Sequence, residues 1–119
     1  MVEVIFYRDS HERLSSVFAR GHAEFGEYGQ DIVCAAVSAI LQALRLGLET
    51  YADIPLDANQ EPGELHLRWP ENARDDAALR AIVTTAELSI ERIAEQYPEQ
   101  VRLTREHDRR ATPRPPVWY

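Results

Sequence analysis

Period-two alternation opens the chain. Val2, Val4 and Phe6 fall on one face and Glu3, Ile5 and Tyr7 on the other, in the β-branched and aromatic composition of a strand. Asp9, Ser10 and His11 turn the chain. Residues 13–20 (RLSSVFAR) alternate less regularly, and the two runs read as a hairpin. Gly21, Gly26 and Gly29 then mark a loop, with Asp31 placed as a helix N-cap. From about Ile32 to Tyr51 the pattern becomes helical and is apolar around most of the circumference, which calls for cover on both sides. One polar stripe interrupts it, Ser38, Gln42, Arg45 and Glu49, and continued backwards it reaches Cys34. Residues 53–63 (DIPLDANQEPG) read as a loop, and 64–69 (ELHLRW) as a third strand with Leu65, Leu67 and Trp69 inward. A second helix is expected from about Asp75 to Tyr97, with apolar residues at three- and four-residue steps and Pro98 at its end. Residues 100–106 (QVRLTRE) complete the set as a fourth strand. The order ββαβαβ predicts an α+β two-layer sandwich, a mainly antiparallel four-stranded sheet with both helices on one face.

Composition narrows the function. The 119 residues suit one domain. Its boundary is expected after residue 107, with 108–119 as a proline- and arginine-rich tail, extended or disordered. A net charge of -7 argues against nucleic acid as a direct partner and favours basic ones. All thirteen basic residues are Arg, so no lysine amine is available for catalysis. The longest charge-free run, Ile32 to Leu44, is thirteen residues, short of the roughly 18 that cross a bilayer, so no membrane span is expected. The N-terminus lacks the pattern of a signal peptide, and a cytoplasmic location with a reduced cysteine follows as the expectation. Four histidines and one cysteine show no metal-ligand spacing, so no metal or other cofactor is expected. His66 is expected to face solvent from its strand, and His11 and His107 to lie in turn or tail.

Cys34 is the candidate for chemistry. Free cysteines are most often small buried hydrophobes, but two features set this one apart. Asp31 as N-cap would place Cys34 in the first helical turn, where unpaired N–H groups and the helix dipole favour a thiolate. It also heads the polar stripe. His22 follows the second strand, and a chain turning back through the glycines can bring its imidazole to the thiol, to take and return a proton near neutral pH. The twelve-residue spacing permits that approach and equally permits simple packing. If the pair is catalytic, N–H groups near Cys34 and Ala35 at the helix start would hold an oxyanion. Asp31 then acts as a cap rather than as a third catalytic member. The loop 23–30 carries Glu24, Phe25, Gly26, Glu27, Tyr28 and Gly29, acidic and aromatic groups set among glycines, and it is expected to order over Cys34 on substrate binding.

Residues 21–40, GHAEFGEYGQDIVCAAVSAI, resemble the ribosomal-processing cysteine proteases, the Prp or YsxB-like family of bacteria. The shared pattern is Gly21-His22-Ala23, then Gly29 and Asp31, then Ile32 through Ala36 and Ser38. Element order and the late stretch YPEQVRL extend the likeness from about Met1 to Glu106, leaving the tail beyond it. The resemblance implies a His22–Cys34 dyad with Asp31, Ser38 and Gly21 in support, and a homodimer. It also implies a substrate: the N-terminal extension of the large-subunit ribosomal protein numbered twenty-seven, cut after a Phe-Phe pair that precedes a basic segment. The competing reading is a non-catalytic ribosome-assembly or adaptor module that binds a basic peptide, which would have no use for a cysteine at the helix start.

Overall fold

The apolar faces read from the sequence meet in one layer, between the inner face of a sheet and two helices. The computed structural model describes residues 1–21 and 28–108, apart from the side chains of 28–31. His22, the loop positions 23–27 and the tail 109–119 lie outside the described residues. The strands are β1 (Val2–Arg8), β2 (Leu14–Arg20), β3 (Asp57–Glu61), β4 (Glu64–Arg68) and β5 (Val101–His107), and the helices are α1 (Tyr28–Leu46) and α2 (Ala77–Gln96). Their order in the sheet is β3-β4-β2-β1-β5. Three ladders are antiparallel, and β5 lies parallel to β1 because α2 carries the chain to the far edge.

The α+β class and mainly antiparallel sheet stand, with five strands instead of four. The additional strand, β3, lies in the segment expected to be a loop. Its sequence DANQE has no apolar alternation because it is an edge strand exposed along most of its length. The turn Pro62–Gly63 sets its register against β4, with Gly63 at φ 80°, a conformation open to glycine.

Inward positions are those the alternation marks: Val4 and Phe6 of β1, Val17 of β2, Leu67 of β4 and Trp69 just after it are at most 1% exposed. Against them pack Val33, Val37, Leu41 and Leu44 of α1, Leu48 just beyond it, and Leu79, Val83, Ala86 and Ile90 of α2. Asp76 caps α2, accepting the Leu79 N–H at 3.0 Å.

α1 departs from expectation at both ends. It begins at Tyr28, so Tyr28, Gly29 and Gln30 are helical rather than loop, and Asp31 lies inside the helix and is not its N-cap. After Leu46 it widens into a turn in which Ala52 N bonds Gly47 O at 3.0 Å. Its far side is not covered by the described residues, among which Ile32 and Leu46 remain 70% and 63% exposed. The segment Ile32–Tyr51 is long and apolar enough to span a membrane by length and composition, which the charge-free run does not register. In this fold its buried stripe belongs to the core.

The acidic excess is not all surface. Glu87 of α2 is 2% exposed and accepts both terminal nitrogens of Arg8, at 3.1 and 3.2 Å, and Arg105 Nε at 2.7 Å. Asp9 is equally buried and closes the β1–β2 turn by accepting the His11 and Arg13 N–H groups at 2.8 and 3.1 Å. It also meets buried Arg74 at 3.0 Å, whose other nitrogens donate to Trp69 O at 3.3 and 3.1 Å. Asp108 is buried too. Its N–H donates to Arg8 O at 2.7 Å, and its carboxylate accepts from Arg68 and Ser15. The expected boundary at 107 therefore falls one residue early: Asp108 is part of the fold. His107 lies at the end of β5, not in a tail, and His66 sits on the sheet face away from Leu65 and Leu67, half-buried with its ring edge-on to Phe18 at 5.9 Å.

Burial alone would push the Asp9 carboxyl up, but the two backbone N–H groups and the Arg74 and Arg13 guanidiniums outweigh it and lower it to about 2. A depressed folded-state value gives stability that is fully present above the unfolded value near 3.8 and is lost as pH falls through 2. Asp9→Asn is expected to cost about 2–3 kcal/mol at pH 7, because it leaves Arg74 buried without its counter-charge. Denaturant unfolding between pH 5 and pH 2 should show wild type and variant converging as acid is added.

Candidate active-site cleft

The rotation of α1 decides where its polar stripe points. With Val33, Val37 and Leu41 committed to the core, Cys34, Ser38 and Gln42 turn toward the β3–β4 hairpin. Between them lies a cleft of about 90 Å³. Cys34 and Ser38 form one wall, and Gln60, Glu61 and Glu64 the other. Val2, Ala19 and Leu65 lie beneath, so the floor is apolar and the rim polar. Cys34 is half-buried and packs against the core. The stripe is held to β3 by Gln42 Nε2 and an Arg45 terminal nitrogen, which donate to Gln60 Oε1 at 3.4 and 3.2 Å.

Gly21 marks where the chain leaves β2 for His22. Its N–H donates to Gly63 O at 2.9 Å, tying the end of β2 to the hairpin turn. Its φ is 84°, and a Cβ there would lie 2.6 Å from Met1 O. Backbone geometry and close packing thus both require glycine at this position. The hairpin's part in the site was not legible beforehand. The only sequence signal was Pro62-Gly63 followed by the alternation of β4.

Of the expected site residues, Cys34, Ser38 and Gly21 come to one end of the sheet, around the hairpin. His22, Glu24, Phe25, Gly26 and Glu27 lie outside the described residues, and Asp31, Tyr28 and Gly29 are described only as helical backbone. Because α1 starts at Tyr28, Cys34 is beyond the first turn and the first-turn basis for a thiolate falls away. The N–H groups of Cys34 and Ala35 are likewise spent inside the helix, which removes them as the expected oxyanion donors. Among the described residues, no group of three or more His, Cys, Asp or Glu is placed to hold a metal.

A family model described as cysteine protease Prp matches residues 1–102. A Staphylococcus aureus protein named ribosomal processing cysteine protease Prp is 37% identical over 108 residues, covering 87% of this chain and 97% of the relative. A Bacillus subtilis protein of the same name is 28% identical over 108 residues, with 87% and 96% covered. The solved structure of the S. aureus protease in complex with a substrate peptide superposes with a TM-score of 0.78 at 32% identity, over 88% of this chain and 99% of that one.

Gly21→Ala should lower stability by roughly 1–3 kcal/mol from backbone strain alone, before the clash with Met1 is counted. Thermal unfolding checks this, with Ser38→Ala, at an exposed position, expected to melt close to wild type.

Proposed function

The chain belongs to the Prp family of cysteine proteases, and from that we propose a cytoplasmic endopeptidase that removes the N-terminal extension of the large-subunit ribosomal protein numbered twenty-seven. The observation that carries the reading is Cys34 in the wall of an apolar-floored cleft open to the surface. Cys34 Sγ attacks the scissile carbonyl. His22 accepts the thiol proton and returns it to the leaving amine, leaving a thioester that water hydrolyses with the same imidazole as base. Support for His22 comes from its covalent neighbour: Gly21 is anchored to the hairpin that forms the cleft's second wall. Asp31 and Ser38 support the site from the cysteine's own helix. No cofactor takes part.

The active unit in this reading is a homodimer. Ile32, Ala39, Ala43 and Leu46 follow one another up the side of α1 away from the core and the cleft. Between α1 and α2, Ile40, Ala43 and Ile82 line an open apolar groove of about 410 Å³. A face of this kind is what a second copy covers in a symmetric pair.

Cys34→Ala and His22→Ala are each expected to reduce cleavage of a peptide spanning the Phe-Phe junction roughly a thousandfold or more, with the double variant little worse than either single one. Mass spectrometry of the peptide reads the outcome, and cleavage by Cys34→Ala would end the cysteine-protease reading. A parent peptide bound but left intact by wild type would favour the adaptor. In light scattering at micromolar concentration the wild type should have the mass of a dimer and Ala43→Arg that of a monomer. A monomeric wild type would remove the homodimer.

A further inference from the structure

The outer edge of β3 carries backbone donors and acceptors beside the cleft. The two-residue turn makes Glu61 and Glu64 a hydrogen-bonded pair, since such turns close on one. Alternation along an antiparallel ladder then makes Asn59–His66 and Asp57–Arg68 the next such pairs. The parity agrees on the other side of β4, where Trp69 N donates to Ser15 O at 3.2 Å. The N–H and C=O groups of Ala58 and Gln60 therefore point away from β4, off the edge of the sheet. No described strand pairs there.

From this geometry we infer that the peptide substrate binds in extended form as a sixth strand along β3, hydrogen-bonded to the backbone of Ala58 and Gln60 and led by them to Cys34. The inference rests on the protease reading above and adds to it the mode of substrate recognition. Continuity with the cleft is its main ground: Gln60 and Glu61 belong to β3 and to the wall facing Cys34 and Ser38, so a strand added at Gln60 arrives at the thiol. Strand addition draws affinity from main-chain hydrogen bonds and reads alternate side chains. Here one set of side chains would face the polar stripe of α1 while the other pointed to the outer face of the sheet. The ladder is also unbroken along this edge, with no bulge and no proline within Asp57–Glu61. Glu61 and Glu64 lie directly opposite one another at its end, an unfavourable like-charge pair that a basic substrate residue would relieve.

The test is binding of a fluorescein-labelled peptide carrying Phe-Phe and a basic segment to the full-length Cys34→Ala protein, read by anisotropy. N-methylation of the peptide backbone, one position at a time, should weaken binding about tenfold at alternate positions and little at those between. Gln60→Pro, which removes an N–H that β4 does not use, should weaken binding similarly relative to Gln60→Ala, which controls for the lost side-chain contacts. Uniform insensitivity to N-methylation, with the parent peptide bound normally, overturns the inference and leaves the protease reading intact. A change of oligomeric state in Gln60→Pro with unchanged peptide binding assigns the edge to a second copy and also overturns it. A parent peptide that does not bind at all removes the substrate reading, and this inference with it.

Discussion

One helix serves three surfaces, and its rotation is the constraint on which the site depends. Each buried side chain of the stripe from Val33 to Leu48 contributes roughly 1.5–3 kcal/mol by leaving water, so turning α1 by a single residue is prohibitive. Once that stripe faces the sheet, Cys34, Ser38 and Gln42 must face the β3–β4 hairpin, and Ile32, Ala43 and Leu46 must face outward on the opposite flank. Position of the thiol and exposure of an apolar face are thus consequences of how the core packs.

The two ends of the strands are held by different means. Where β1 ends and β2 begins, charge does the work: Glu87 joins α2 to β1 and β5, Asp9 joins the hairpin turn to the segment before α2, and Asp108 joins the end of β5 to β4. Buried carboxylates cost several kcal/mol in desolvation, and a pair need not stabilise more than packed hydrocarbon would. Each of these carboxylates nevertheless meets two or more donors, which fixes the relative placement of elements far apart in the chain. The other end, with the cleft, has no such cluster among the described residues. There the Gly21–Gly63 backbone bond and the Gln42–Gln60 contact join the walls. The buried carboxylates thus lie away from the cleft, whose charged groups, Glu61 and Glu64 of the wall and Arg45 beside it, stay at the surface.

Read alone, the sequence determines the alternating strands β1 and β4, the amphipathic α2, the α+β class, and Cys34 as the head of a polar stripe. These follow from local period and burial preference. The family motif in residues 21–40 is likewise a matter of sequence. Tertiary structure decides what local pattern cannot encode. β3 forms because a turn and a neighbour supply its ladder, although DANQE has no apolar face to announce it. The helix start at Tyr28, three residues before the capping candidate Asp31, removes the first-turn argument for Cys34. Glu87, Asp9 and Asp108 read as surface charge because Arg8, Arg105, Arg74 and Arg68, distant from them in the chain, reach them only after folding. The wall opposite Cys34 comes from residues 60–65, far along the chain from residue 34, and only the antiparallel register of β4 on β2 and β3 on β4 brings it there.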